Sequence, residues 1–141
     1  IVVSTLTDFT YETADFTMKG RLKDGNPNGF WNLYNKQSEF TGQFPYRNGQ
    51  PDGIARLFYN NQKIRAEITY NAGEIRTFRE FLPDGTLRTE LEYRKGKRHG
   101  NAKFYYSTGH LLCEGKYKKG KRSGSWLYYK VTGEIEKKLK F

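Results

Sequence analysis

Gly25, Gly49, Gly73, Gly96 and Gly120 follow one another at spacings of 24, 24, 23 and 24 residues. A chain with that period is confined to architectures that stack one small unit on the next. Four residues after each of these glycines come Gly29, Gly53, Gly100 and Gly124, with Thr77 in the third slot. Five residues further stand Tyr34, Phe58, Tyr105 and Tyr129, while the third unit, one residue short, reaches Phe81 or Leu82. A later turn glycine recurs as Gly85, Gly109 and Gly133, where the first two units have Ser38 and Gln62. This divides the 141 residues into a single repeat domain with units over 16–39, 40–63, 64–86, 87–110 and 111–134. Residues 1–15 then form an N-terminal capping strand region, and 135–141 a partial repeat.

Inside each unit the period is two, the signature of strands with one apolar and one wet face. Alternate positions read Ile64, Ala66, Ile68, Tyr70, then Leu87, Thr89, Leu91, Tyr93, then Leu111, Cys113, Gly115, Tyr117, with polar residues between. The second strand of each unit is expected to begin at the second glycine, with Trp31 and Leu33, or Ala102 and Phe104, sharing a face. Gly- and Pro-containing turns connect the strands, and such short links join only antiparallel neighbours. The fold expected is all-β: an elongated antiparallel meander of about five tandem 24-residue hairpins in one twisted, curved sheet. Only 35% of residues are hydrophobic but 16% are aromatic, so large rings stand in for a second layer. Some eleven strands of about seven residues make a ribbon of roughly 23 by 50 Å.

The run Glu90-x-x-Tyr93-x-x-Gly96-x-x-x-Gly100-x-x-x-x-Tyr105-Tyr106-x-x-Gly109-x-Leu111, repeated from Glu114 through Gly133 and Ile135, resembles the MORN repeat in its bacterial variant form. The likeness covers roughly Phe16 to Phe141; Thr77, Ser38 and Gln62 depart from it. The resemblance implies β-hairpins in an elongated twisted sheet and a family of adaptors and scaffolds. It also implies links to acidic phospholipids and protein assembly in eukaryotic members, and a YwqK-like antitoxin label in some bacterial ones.

The formal net charge is +10, and its position is uneven. Residues 1–85 hold 10 Lys and Arg against 10 Asp and Glu, whereas residues 86–141 hold 15 against 5. The excess concentrates in two equivalent turns, so Lys95, Lys97, Arg98, Lys118, Lys119, Lys121 and Arg122 are expected side by side on one basic rim. Such a rim suits an acidic protein partner or an anionic lipid surface. It also serves solubility, because lysines on sheet edges oppose wrong strand pairing. Nucleic acid is the weaker partner: the aromatics that could stack on bases recur equally in the neutral half, which points to packing.

No constellation of catalytic groups is apparent. His99 and His110 are expected on turns of opposite rims. The lone Cys113 shares its parity with Leu111 and Tyr117 and reads as a small core residue beside the equivalents Ala66 and Thr89. The column Glu67, Glu90 and Glu114 is flanked by Arg65, Arg88 and Lys116, which predicts cross-strand ion pairs rather than a cation site. No metal or cofactor is expected.

No stretch approaches the roughly 18 apolar residues of a membrane span. The first residues are Ile1-Val2-Val3 rather than Met, which leaves bacterial cytoplasm and export after loss of a signal both open. An acidic start (Asp8, Glu12, Asp15) and an uncovered last strand invite edge-to-edge self-association. The reading is a non-enzymatic binding or scaffold module for a protein partner, with peripheral lipid binding and an antitoxin role as alternatives.

Overall fold

The computed structural model describes residues 4–141, so Ile1, Val2 and Val3 of the expected capping region lie outside the described residues. The strands are β1 (Leu6–Glu12), β2 (Phe16–Lys23), β3 (Asn26–Asn35), β4 (Phe40–Arg47), β5 (Gln50–Pro51), β6 (Gly53–Phe58), β7 (Ile64–Asn71), β8 (Glu74–Phe81), β9 (Leu87–Arg94), β10 (Lys97–Tyr105), β11 (Leu111–Lys118), β12 (Lys121–Tyr129) and β13 (Ile135–Lys140). They form one open antiparallel sheet in sequence order, a meander in which the short β5 pairs with β4 beside β6. Asp52 alone interrupts what is otherwise one strand, so twelve strands lie across the ribbon where eleven were expected. The accessible surface is 9497 Å², against about 7,600 Å² for a compact globule of this mass. That excess is the cost of having a single layer.

Five two-residue turns close the hairpins: Asp24-Gly25, Asn48-Gly49, Ala72-Gly73, Lys95-Gly96 and Lys119-Gly120. The first residue of each has φ between 46° and 51°, and the glycine has φ between 76° and 88°. Positive φ at both positions marks the type I′ turn, whose twist matches that of the strands it joins. The second strand therefore starts directly after the first glycine, not at the second as expected. Gly29, Gly53, Gly100 and Gly124, at φ 68° to 107°, lie inside or at the start of that strand. In three hairpins they sit in bulges of three residues opposite one, as where Glu114 pairs Leu127 and Lys116 pairs Ser123. The third hairpin has lost the glycine slot itself. Thr69 pairs Thr77 and Tyr70 pairs Ile75, leaving one extra residue. Thr77 thus stands where Phe30, Ile54, Asn101 and Ser125 stand, and Phe81, not Leu82, takes the Tyr34 position opposite Leu87.

The first face of the sheet carries the core. Its central row runs Gly20, Trp31, Phe44, Ala55, Ile68, Phe78, Leu91, Ala102, Gly115, Trp126, Leu139. Within each hairpin a small residue faces a large one or two middling ones meet: Gly20 with Trp31, Phe44 with Ala55, Ile68 with Phe78, Leu91 with Ala102, Gly115 with Trp126. A Cβ placed on Gly20 or Gly115 would stand 2.3 Å from the Trp31 or Trp126 ring. Neighbouring side chains close over the row, leaving Ala55 0%, Ala102 1% and Trp126 1% exposed without any second layer. An indole of roughly 200 Å² buried in this way contributes at most about 5 kcal/mol. Cys113, Ala66 and Thr89 are buried in the adjacent row.

On the second face a row of direct cross-strand partners alternates in charge: Arg56, Glu67, Arg79, Glu90, Lys103, Glu114. Glu67 takes Arg56 at 3.0 Å and Arg79 at 3.4 Å, and Arg79 also reaches Glu90 at 3.5 Å. The cross-strand pairs expected of the glutamate column therefore form for Glu67 and Glu90, with Arg56 and Arg79 rather than the flanking Arg65 and Arg88, whereas Glu114 accepts a hydrogen bond from Tyr129 and has no ion pair among the described residues. One-residue bulges between units are the reason, as where Phe104 pairs Cys113 but Tyr105 pairs Leu111. The bulge breaks the alternation, so Arg88 turns to Glu80 at 3.9 Å. It also moves Leu111 out of register with Cys113, correcting the parity that grouped them. Phe40, equivalent to Leu111, accordingly packs on the landmark rings Tyr34 at 6.0 Å and Phe58 at 5.5 Å.

The opposite rim repeats one turn, in which the N–H of Ser38, Gln62, Gly85, Gly109 and Gly133 donates to the carbonyl three residues before. Ser38 and Gln62 hold the glycine conformation at φ 61° and 68°. Two tyrosines staple neighbouring turns there, Tyr59 Oη donating to Phe81 O at 2.6 Å and Tyr106 Oη to Tyr129 O at 2.7 Å. Ser38→Gly and Gln62→Gly are each expected to raise stability by about 1 kcal/mol, read as a higher urea midpoint at unchanged m. Gly115→Leu is expected to destabilise by about 3 kcal/mol, and the double change Gly115→Leu/Trp126→Ala, which recreates the Leu91 and Ala102 pairing, to recover part of it. A double variant no better than the sum of its singles contradicts the size matching.

Candidate binding rim

The two equivalent turns Arg94-Lys95-Gly96-Lys97 and Lys118-Lys119-Gly120-Lys121 are neighbours on one rim. The Gly120 N–H donates to Arg98 O at 2.9 Å, and the Lys119 N–H donates to His99 Nδ1 at 3.3 Å. Since equivalent turns lie two strands apart, these two clusters of cations stand about 10 Å from each other. Lys95 and Lys119 both have φ 51°, a conformation that Asn or Asp fills more readily than Lys.

Strand register sorts the seven expected rim cations onto two faces. Lys97 pairs Arg94 and Lys118 pairs Lys121, positions that follow the polar second face. Arg98 pairs Tyr93 and Arg122 pairs Tyr117, which belong to the aromatic first face. The guanidinium of Arg98 lies 5.4 Å from the Tyr117 ring centre, and that of Arg122 lies 4.2 Å from the Phe141 ring. Arg122 Nη1 also donates to Tyr128 Oη at 3.2 Å. The Tyr93 hydroxyl, ahead of an opposing burial effect, holds the Arg98 guanidinium even more firmly protonated than usual. These two arginines lie against aromatic rings while remaining exposed, so the expected cations divide between the faces, with Arg98 and Arg122 on the aromatic one and the five lysines with Arg94 at the turns and the second face. Among the described residues none of Lys95, Lys97, Lys118, Lys119 and Lys121 forms an ion pair with a carboxylate.

Between the two turns lies an open groove of about 510 Å³, lined by Arg94, Lys95, Lys97, His99 and Lys119. Arg94 and His99 belong to this feature although their charge alone did not single them out. The signal was their place in the same turn segment around Gly96, with His99 inside the bulge that follows Arg98.

The groups that could have suggested catalysis are apart. His99 is on the rim just described, and His110 is in the opposite turn with Nδ1 at 3.0 Å from Thr108 Oγ1. Cys113 is buried, and burial pushes its thiol pKa up, against a smaller opposing effect of Arg122. No three His, Cys, Asp or Glu gather among the described residues. Among the described residues no helix is long and apolar enough to cross a membrane. The landmark rings Tyr105 and Tyr129 lie on the second face, where Tyr105 Oη donates to Glu90 Oε1 at 2.8 Å and Tyr129 Oη to Glu114 Oε2 at 3.4 Å.

Two segments, residues 51–72 and 98–119, match the MORN repeat variant. Each runs from the second strand of one hairpin through the opposite-rim turn to the first residue of the next type I′ turn. The matched unit is therefore the pair of strands that spans two hairpins. No curated protein matches the chain.

Partial burial, then the Glu90 hydrogen bond and charge, push the Tyr105 hydroxyl up to about 12. A raised folded value favours the neutral phenol, so this contribution is complete below the ordinary tyrosine value of about 10 and is lost as pH climbs through about 12. Wild type should therefore lose urea stability more steeply than Tyr105→Phe between those pH values. Parallel profiles would contradict the coupling.

Proposed function

We propose that the chain is a non-enzymatic, MORN-type binding or scaffold module that recognises a protein partner, with Lys95, Lys97, Lys118, Lys119 and Lys121 supplying the electrostatic attraction. The observation carrying this reading is a group of unpaired cations fixed on two stacked turns of a rigid hairpin ladder. Fixed charges on an open surface raise association rate and select partners of opposite sign. The groove beside them is open along the surface, which suits a macromolecular partner better than a small enclosed substrate. An antitoxin that occludes its toxin would be one form of the same recognition, and rests on family resemblance alone.

A second reading, peripheral attachment to anionic phospholipid, is favoured by the position of Lys95 and Lys119 at the turn tips, where a flat membrane would meet them first. Each such cation is worth on the order of 1 kcal/mol at an anionic surface, less as salt rises.

The variant Lys95→Asn/Lys97→Gln/Lys118→Gln/Lys119→Asn/Lys121→Gln separates these readings, because Asn-Gly suits the turns and the fold should be as stable as wild type. Wild type is expected to capture a protein from lysate of its source organism in a salt-sensitive way that the variant loses, with neither sedimenting on neutral or anionic vesicles. Capture that is equal for both proteins contradicts a role for the lysines. Sedimentation on anionic vesicles that the variant loses would establish the lipid reading instead.

A further inference from the structure

Resting on the protein-recognition reading above, we infer that the groove between the two lysine turns is a built docking site for an acidic, carboxylate-bearing peptide segment of the partner. Arg94, Lys95, Lys97 and His99 line it from one turn and Lys119 from the other. The wall is held by the main chain. Gly120 N–H bonds to Arg98 O at 2.9 Å, and the Lys97 side-chain carbons lie 3.9 Å from the position of a Cβ on Gly120.

His99 gives the site a chemistry that surface charge alone lacks. Its Nδ1 accepts the Lys119 N–H at 3.3 Å, so the neutral ring carries its proton on Nε2. The free Nε2–H is then a donor fixed in orientation, set among four cations and able to meet a carboxylate oxygen. The methylene stems of the lysines and Arg94 line the remainder, an apolar floor suited to a peptide backbone.

The shape of the site argues for a peptide over a membrane. A flat anionic surface meets the turn tips at Lys95 and Lys119, whereas a chain laid along the groove can also meet Arg94 and the half-buried His99. The same slots upstream do not form such a site, because Asn71, Ala72, Glu74 and Arg76 occupy them, with Glu74 taken up by Arg76 at 3.5 Å and by the Lys95 N–H at 2.7 Å.

The test uses a fluorescent Asp/Glu-rich peptide, its Asn/Gln counterpart, and vesicles with and without anionic lipid, at low and physiological salt of about 0.15 M. The proteins are the whole chain, the single variants Arg94→Gln, His99→Leu and Lys119→Asn, and the double variant Lys63→Gln/Lys130→Gln on the opposite rim as a charge control. Thermal unfolding confirms that each is folded. The expected result is saturable binding of the acidic peptide only, weakened about two- to five-fold by each single change and unaffected by the control. Peptide binding that Arg94→Gln and His99→Leu leave unchanged overturns the docking site while sparing the role of the lysines. No peptide binding at physiological salt overturns the docking site, and equal lysate capture by wild type and the five-lysine variant would overturn the protein-recognition reading as well. Binding to anionic vesicles in place of the peptide, lost only with Lys119→Asn, overturns the docking site in favour of membrane attachment.

Discussion

Matching of side-chain size across each hairpin is the constraint on which the rest of this structure depends. An open sheet with no second layer has nothing above it to fill a gap, so each large residue must be covered by neighbours on its own face. Gly20 beneath Trp31 and Gly115 beneath Trp126 leave room for indoles that would otherwise stand 2.3 Å from a Cβ. Leu91 with Ala102, and Phe44 with Ala55, reach a similar total by other means. The result is a row in which Ala55 and Trp126 fall to 0% and 1% exposure, in a ribbon whose other face is wet. Each hairpin gains its burial from the next, which is why the unit has meaning only in series.

The second face shows how the same repetition organises charge. A register that places small against large on one side places Arg56, Glu67, Arg79, Glu90, Lys103 and Glu114 in one line on the other. Exposed pairs of this kind contribute little one at a time. Like charges in their place would oppose the strand pairing directly, so the alternation protects the register more than it adds stability. The lysines of the rim stand outside this line. Two of them, Lys95 and Lys119, occupy turn positions where Asn or Asp would be more comfortable, and none of the five has a carboxylate partner among the described residues. A surface that stability leaves free is where recognition can be placed.

The meander, the hairpins and the burial of Cys113 were legible because glycine spacing and period-two alternation report backbone geometry directly. The details that escaped share one physical origin, the bulge. One-residue bulges at Arg88 and Leu112 shift the alternation within what reads as an unbroken strand, so Arg88 was assigned to Glu90 when it faces Glu80, and Leu111 was grouped with Cys113. Three-residue bulges at the second glycine hid the true start of the second strand, and the missing slot in the third hairpin made Thr77 look like a replaced glycine. The candidate rim was half legible for a related reason. The sequence shows seven cations around two turns, but in a two-residue hairpin successive residues point to opposite faces, which sends Arg98 and Arg122 to the aromatic rows. His99 became visible as part of a groove only when the neighbouring turn supplied Lys119.

Small-angle X-ray scattering tests the single uncovered sheet most directly. Twelve strands about 4.8 Å apart and about eight residues long define a slab whose radius of gyration is about 17 Å, whereas a compact domain of the same length has about 14 Å. A monomer near the larger value, with a pair-distance distribution skewed to long distances, is the outcome predicted here. A symmetric distribution with the smaller radius would mean that the sheet folds back on itself or gains a second layer, and the size matching would then not be what closes the core.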